Sequence, residues 1–239
     1  MRISLSAIDI ESIPSSITRL RPYVLDRALG QLLLPEQISL LYGVDKSPLT
    51  RLAHNVAINV AMNGNNAIFL DSGNNYNSHL VNSQIPSKRE RTEILEHIII
   101  AKIFSLSDLI NISNEINEIQ NLSFIVLDSL SGVLNLSGAP GSIERQRLLF
   151  KTLQVIRRLV NTTNAHFLVT SYSTNDWKTG DTRPVGGNVL AHNLDSIIHV
   201  EMIDSKKGIL QFNIERSSIP ITQEVFAFRM TKTGFKTLS

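Results

Sequence analysis

Short apolar runs, each closed by a polar residue or glycine, recur through the first two thirds of the chain: ISLLYG (38–43), AIFLDS (67–72), HIIIAKIF (97–104), SFIVLDS (123–129) and HFLVTS (166–171). A strand with one wet face alternates apolar and polar positions. These runs are apolar almost throughout, which predicts strands buried on both faces, as in a parallel sheet. Between them the period becomes that of a helix. Leu52, Ala53, Val56, Ala57 and Val60 share one face over residues 50–63, and Gly64 follows where a left-handed cap would stand. Residues 107–120 bring Leu109, Ile112, Ile116 and Ile119 together behind Ser107 as N-cap, and 143–163 align Leu149, Leu153, Ile156 and Val160. Strand and helix alternating at this spacing predict right-handed crossovers and helices on both faces of the sheet.

The last third reads differently. SIIHVEMI (196–203), GILQFNIE (208–215) and EVFAFRM (224–230) are separated by turn-like DSKKG and SSIPITQ, and predict consecutive hairpin strands. The fold class is therefore α/β: a mainly parallel sheet flanked by helices, with a C-terminal antiparallel extension. A core domain over 25–239 follows an N-terminal segment, 1–24. Composition agrees, since 239 residues with 42% hydrophobic content suit one medium-sized domain. The lack of cysteine removes disulfide scaffolds, thiolate metal sites and Cys nucleophiles. A net charge of +2 is too small for bulk electrostatics to be the whole function, so any nucleic-acid surface is local. The N-terminus carries Arg2, Asp9, Glu11 and Arg19 without an apolar signal run, and no stretch approaches the roughly 20 apolar residues of a membrane span. A soluble, cytoplasmic protein with no membrane partner is expected.

Candidate chemistry begins where the first strand ends. Gly43-Val44-Asp45-Lys46-Ser47-Pro48-Leu49-Thr50 leads from strand to helix, the frame of a phosphate-binding loop GxxxxGK[ST]. In a working loop the second Gly frees backbone N–H groups for the phosphates, the Lys neutralises them and the hydroxyl holds magnesium. Here those positions hold Pro48, Leu49 and Thr50. Proline removes a donor and fixes φ, and leucine offers no charge. Asp128 closes SFIVLDS, where a magnesium-water ligand would belong, although buried strands also end in Asp for turn formation.

Pro184-Val185-Gly186-Gly187-Asn188-Val189-Leu190-Ala191-His192, followed by the strand SIIHVEM, and Glu144-Arg145-Gln146 after the glycine-rich stretch 137–141 carry a resemblance. In order and over about Leu25 to Phe235 the chain resembles the RecA/RadA recombinase family, and most of all its short archaeal RadA paralogues, which are essentially the core alone. The resemblance implies a RecA-like P-loop NTPase core whose nucleotide site maps onto Gly43, Lys46, Thr50 and Asp128. It also implies losses. The family's water-polarising Glu corresponds to Gly73 in Leu70-Asp71-Ser72-Gly73-Asn74, and its sensor Gln corresponds to Tyr172 in Thr170-Ser171-Tyr172. The reading is a pseudo-ATPase with no cofactor expected, ATP and magnesium binding only if the atypical loop still holds them.

The same resemblance maps the two DNA-binding loops onto Trp177, Lys178 and Arg183 and onto Arg145 and Arg147. One aromatic plane among cations suits sequence-tolerant binding of single strands. The plain alternatives are Trp177 packed within its own loop and the arginines on a solvated helix face. Glu215-Arg216-Ser217-Ser218-Ile219-Pro220 resembles the element that faces a neighbour's nucleotide in stacked relatives, which makes Arg216 a candidate partner contact. The implied partners are a recombinase or another RecA-family paralogue, with single-stranded DNA as a further one, in homologous recombination or DNA repair. Two alternatives stay open: an active, atypical DNA-dependent ATPase using Lys46, and a KaiC-like RecA-fold scaffold that does not act on DNA.

Overall fold

The computed structural model describes residues 15–85, 87, 90–175, 182–232 and 234–238. The apolar runs form a parallel array of β1 (Ile38–Gly43), β2 (Asn66–Asp71), β3 (Ile98–Lys102), β4 (Leu122–Asp128), β5 (His166–Asn175) and β7 (Ser196–Asp204), with the short β6 (Thr182–Pro184) paired antiparallel to β5. Three antiparallel strands, β8 (Ile209–Arg216), β9 (Val225–Thr231) and β10 (Gly234–Thr237), extend the sheet, whose order is β10-β9-β8-β7-β1-β5-β4-β2-β3. β10 escaped the sequence pattern because only Phe235 of its four residues faces the core as a large apolar group.

Burial on both faces explains the uninterrupted apolar runs of the inner strands; β3, expected to be buried likewise, is an edge strand with Ile100 44% exposed. In β1, Leu41 faces one core while Ile38, Leu40 and Tyr42 face the other; in β4, Phe124 and Val126 oppose Ile125 and Leu127. The first core lies under α1 (Tyr23–Leu29), α2 (Lys46–Met62) and the antiparallel extension. The second lies under α5 (Leu106–Asn117), α6 (Leu130–Asn135), α7 (Ile143–Thr163) and α8 (Gly187–His192). Two short helices, α3 (Ser78–Gln84) and α4 (Arg91–Glu96), lead from β2 to the edge strand β3. None of the described helices is long and apolar enough to cross a membrane.

Two helix starts differ from the expectation. α5 begins two residues early because Ser105, not Ser107, is its N-cap: the Ser105 hydroxyl accepts from the Asp108 N–H while Asp108 accepts from the Ser105 N–H, a reciprocal capping box. α2 begins at Lys46 rather than 50, so only Val44 and Asp45 separate strand from helix. Pro48 is compatible with this start because the first turn of a helix has no intrahelical use for its N–H.

α2 also fixes the chain that precedes the core. Asn55, Asn59 and Asn63 stand one turn apart along it and take up the segment 15–22. Asn55 donates to the Arg21 carbonyl (3.0 Å), the Asn59 amide oxygen accepts from the Arg21 N–H (3.1 Å), and Asn63 donates to the Thr18 hydroxyl (2.7 Å). Asn59 is buried, and its amide also donates to the Asn55 carbonyl, so no part of it is left for water. Asn59→Ala is therefore expected to cost about 1 kcal/mol, because it removes the acceptor of the part-buried Arg21 N–H. A drop in the urea midpoint together with faster tryptic cleavage after Arg19 would bear this out; unchanged values for both would contradict it.

Candidate functional site

Parallel pairing carries the ends of β1, β2, β4 and β5 to one edge of the sheet, with Asp71 opposite Asp128 and Gly43 opposite Tyr172. Ligands of open α/β sheets bind at such carboxyl ends. Asp128 is 1% exposed, and its two oxygens accept from the hydroxyls of Thr50 on α2 (2.8 Å) and Thr170 on β5 (2.6 Å). Burial pushes its carboxyl above the usual range, with Asp71 adding to the rise. The two threonine hydroxyls and the Lys46 ammonium oppose this without reversing it. Among the described residues no cation forms an ion pair with Asp128.

Asp71 has the opposite balance. Burial works against its ionisation, but the Lys102 ammonium at 2.7 Å and the N–H groups of Asn75, Gly73 and Tyr76 outweigh that, and its carboxyl lies below the usual range. The turn after β2 is pinned from every side. Lys102 also reaches the Asn74 side chain at 2.6 Å, Asn75 donates to the Asp128 carbonyl at 2.8 Å, and the Asn77 N–H donates to His54 Nε2 at 3.2 Å. His54 Nδ1 donates to the Thr50 carbonyl at 2.7 Å, so its ring is the neutral Nδ1–H tautomer. Burial accordingly lowers its pKa, although Thr50 and Asp71 pull the other way. Ser72 closes the set by accepting from the Ser129 N–H and donating to the Ser129 carbonyl, both at 2.8 Å.

A phosphate cradle needs several consecutive N–H groups curled around an anion, a cation beside them, and a glycine to permit the curl. These residues do not fit that requirement. Residues 46–49 are helical, Pro48 has no N–H, and Leu49 is 1% exposed in the core shared by α2 and the sheet. Gly43 is required for another reason: a Cβ there would stand 2.2 Å from the Val200 carbonyl oxygen of β7. Lys46 is exposed at the first position of α2. Lys46, Thr50, Asn74 and Asn75 border an open hollow of about 320 Å³. A Cβ on Gly73 would meet the Asn75 amide at 3.4 Å, an ordinary contact, so space alone does not exclude a side chain there. Burial, and then Asp128, raise the Tyr172 phenol, whose strand position faces Gly43.

Of the residues expected to meet DNA, Arg145 and Arg183 border one cavity of about 590 Å³ between the stretch 134–149 and the turn at Gly186–Gly187. Arg147 is exposed on α7, outside that cavity. Trp177 and Lys178 lie outside the described residues. Arg216 is exposed at the end of β8 and donates to the Ala191 and Leu194 carbonyls, which caps α8 within its own chain. Its neighbour Glu215, at a bulge in β8, accepts from the Tyr42 hydroxyl at 2.6 Å. Burial, with Glu215 adding to it, raises that phenol far above its ordinary value, and Tyr42 stacks on His199 at 4.8 Å. Residues 215 and 216 thus tie the tip of β1 to the helix that follows the predicted second DNA loop.

The sequence reading missed Lys102, His54 and Asn75. The signal was there for one of them, since Lys102 is a lone charge inside the apolar run 97–104. The roles of His54 and Asn75 depend on contacts 23 and 53 residues away, which no local pattern contains.

Comparison with known proteins comes to the same architecture. The Rad51 family model matches residues 20–235. The chain is 24% identical over 217 residues to the DNA repair and recombination protein RadA of Cenarchaeum symbiosum (strain A). That match covers 84% of this chain and 54% of RadA, so the chain spans about half the length of this curated relative. The crystal structure of the RadB recombinase superposes with a TM-score of 0.74 at 20% identity, covering 90% of this chain and 97% of that one, a likeness of fold.

Asp128→Asn tests how the site is built. A carboxyl whose folded pKa is raised binds its proton more tightly folded than unfolded, so its contribution to stability falls as pH rises from the ordinary carboxylate range. At pH 7, above the ordinary carboxylate range, this raised pKa counts against the folded state. The neutral amide is expected to raise stability by about 1 kcal/mol and the melting temperature by roughly 2–4 °C. The gain should vanish below about pH 4, where the wild-type carboxyl is protonated in both states. Thermal melts of both proteins across pH decide the point, and destabilisation at pH 7 would contradict the account.

Proposed function

Because the chain belongs to the Rad51 family, we propose that it is a recombinase paralogue that has given up ATP hydrolysis and acts in homologous recombination or DNA repair through a partner recombinase and single-stranded DNA. The observation that carries this reading is Leu49, a packed core residue where the family pattern calls for a phosphate-binding lysine. Three features support it. Pro48 offers no donor, Gly73 offers no carboxylate to polarise water, and Asp128 has both oxygens bonded to threonine hydroxyls. Without a bound triphosphate, positioning and charge stabilisation have nothing to act on. Activity then resides in what the chain contacts. The cavity bordered by Arg145 and Arg183 supports contact with an anionic polymer, and the exposed end of β8 around Arg216 supports contact with a neighbouring subunit.

Head-to-tail assembly requires one subunit to hold the nucleotide and the next to close over it. On this reading the chain closes over a partner's nucleotide and takes its ATP dependence from the partner. Co-sedimentation with a recombinase should therefore depend on ATP, while the chain alone forms no ATP-dependent filament. Long filaments of this chain alone, or phosphate release comparable with that of a recombinase assayed alongside and lost in Asp128→Ala, would contradict the proposal.

Restoring the missing motif should fail for a structural reason. The pair Pro48→Gly and Leu49→Lys puts an ammonium where a leucine is packed, at a cost of roughly 3 kcal/mol or more. The expected outcome is a lower unfolding midpoint with no saturable binding of a fluorescent ATP analogue; tight binding at undiminished stability would overturn it.

A further inference from the structure

The antiparallel extension buries only one of its two faces. Side chains alternate along a strand, and Leu210, Phe212, Phe226, Phe228 and Phe235 point into the first core. The residues between them stand on the opposite face, where no described side chain of β8, β9 or β10 belongs to the second core. Strand pairing arranges that face in rows. Asp204, Ile209, Arg229 and Lys236 form one row across β7, β8, β9 and β10; Glu201, Gln211 and Ala227 form the next, and Asn213 stands beside Val225 in a third. A face that meets only water normally carries polar residues at its outward positions. Here Ile209, Ala227 and Val225 are apolar, and Val225 is 47% exposed. The polar residues among them are neutral and turned to each other, since the Gln211 amide donates to the Asn213 side chain at 2.9 Å. In these rows the charges stand at the two margins and differ in sign: Asp204 and Glu201 on the β7 side, Arg229 and Lys236 on the β9–β10 side.

We propose that this face is a homodimer interface, in which two copies of the chain pack sheet on sheet about a twofold axis parallel to the strands. Such an axis exchanges left and right and keeps height along the strands, so β7 of one copy meets β10 of the other. The basic margin of each copy then lies over the acidic margin of the second, Lys236 and Arg229 towards Asp204 and Glu201, with the uncharged rows packed between them. Opposite margins around a neutral centre make the surface complementary to itself, and that selects a second copy over an unrelated partner. The contact closes on itself and propagates no filament. It uses neither Arg216 nor the strand ends around Asp128, and it stands independently of the function proposed above. At about 4.8 Å between strands and 3.4 Å per residue the face spans roughly 19 by 17 Å. That is small beside the ~800 Å² per partner of a standard interface, so the dimer is a weak one, with a dissociation constant of order micromolar.

Sedimentation equilibrium of the full-length chain from low to high micromolar concentration tests the interface. The wild type is expected to pass from monomer to dimer, less readily as salt rises. Glu201 and Lys236 are both exposed and suit charge reversal. Glu201→Lys places a cation on the β7 margin, and Lys236→Glu places an anion on the β10 margin. Each variant alone should raise the dissociation constant more than about tenfold, because both contacts across the twofold then join like charges. An equal mixture of the two should associate again, since each of those contacts in the mixed pair joins opposite charges. Misfolding cannot produce that rescue. A wild type that stays monomeric throughout would overturn the interface, as would a dimer that both variants form as readily and mixing does not strengthen. If the wild type is monomeric and either variant loses co-sedimentation with a recombinase, the face belongs to the recombinase and the twofold is wrong.

Discussion

The first turn of α2 is the constraint on which the rest depends. Its backbone starts two residues after β1, its leucine is packed into the core at 1% exposure, and its threonine hydroxyl bonds to the carboxyl of Asp128. Those contacts hold the segment as the first turn of a helix. They also join two strands and a helix at one point, because Asp128 on β4 accepts from Thr50 on α2 and from Thr170 on β5. Such a network is satisfied internally. Its strength comes from low dielectric and hydroxyl partners, and it needs no ligand to be complete.

From that point α2 organises two further regions. On the site side, His54 bonds back to the Thr50 carbonyl and forward to the turn after β2, which Lys102 and Asn75 hold from two other directions. On the far side, Asn55, Asn59 and Asn63 take up the backbone and hydroxyl groups of residues 15–22. Arg51 reaches the Thr231 and Lys232 carbonyls and so ties the helix to the turn before β10. A helix fixed at both ends and along its length is a poor switch. That supports a role in which any change of state comes from a bound partner, since a ligand can shift an equilibrium only by its differential affinity for two states.

Much of the fold was legible because parallel strands must be apolar on both faces, and β1, β2, β4 and β5 each read as one unbroken run. The hairpins were legible from the turn-like segments between their strands, except β10, where four residues carry too little pattern. Helix starts were less so. Ser105 and Ser107 look alike in sequence, and the choice between them rests on Asp108 reaching back to the Ser105 N–H. The departure at Pro48 and Leu49 was visible in residue type, but its consequence was not: a missing charge can be replaced, whereas a leucine embedded in the core resists replacement. Arg216 shows the opposite limit. Its position suggested an outward role, and only the fold reveals that its guanidinium also caps α8.

The central claim is that the nucleotide site has become a packed element of the core. Anything that binds the folded state raises the melting temperature as its concentration exceeds the dissociation constant, whether or not it is hydrolysed. Thermal melts of the full-length chain with magnesium and ATP from zero to millimolar concentrations are therefore the most direct test. The account predicts a melting temperature that stays constant across the series. A concentration-dependent rise that disappears in Lys46→Ala would contradict it, because it would mean that the helix start still closes around a triphosphate.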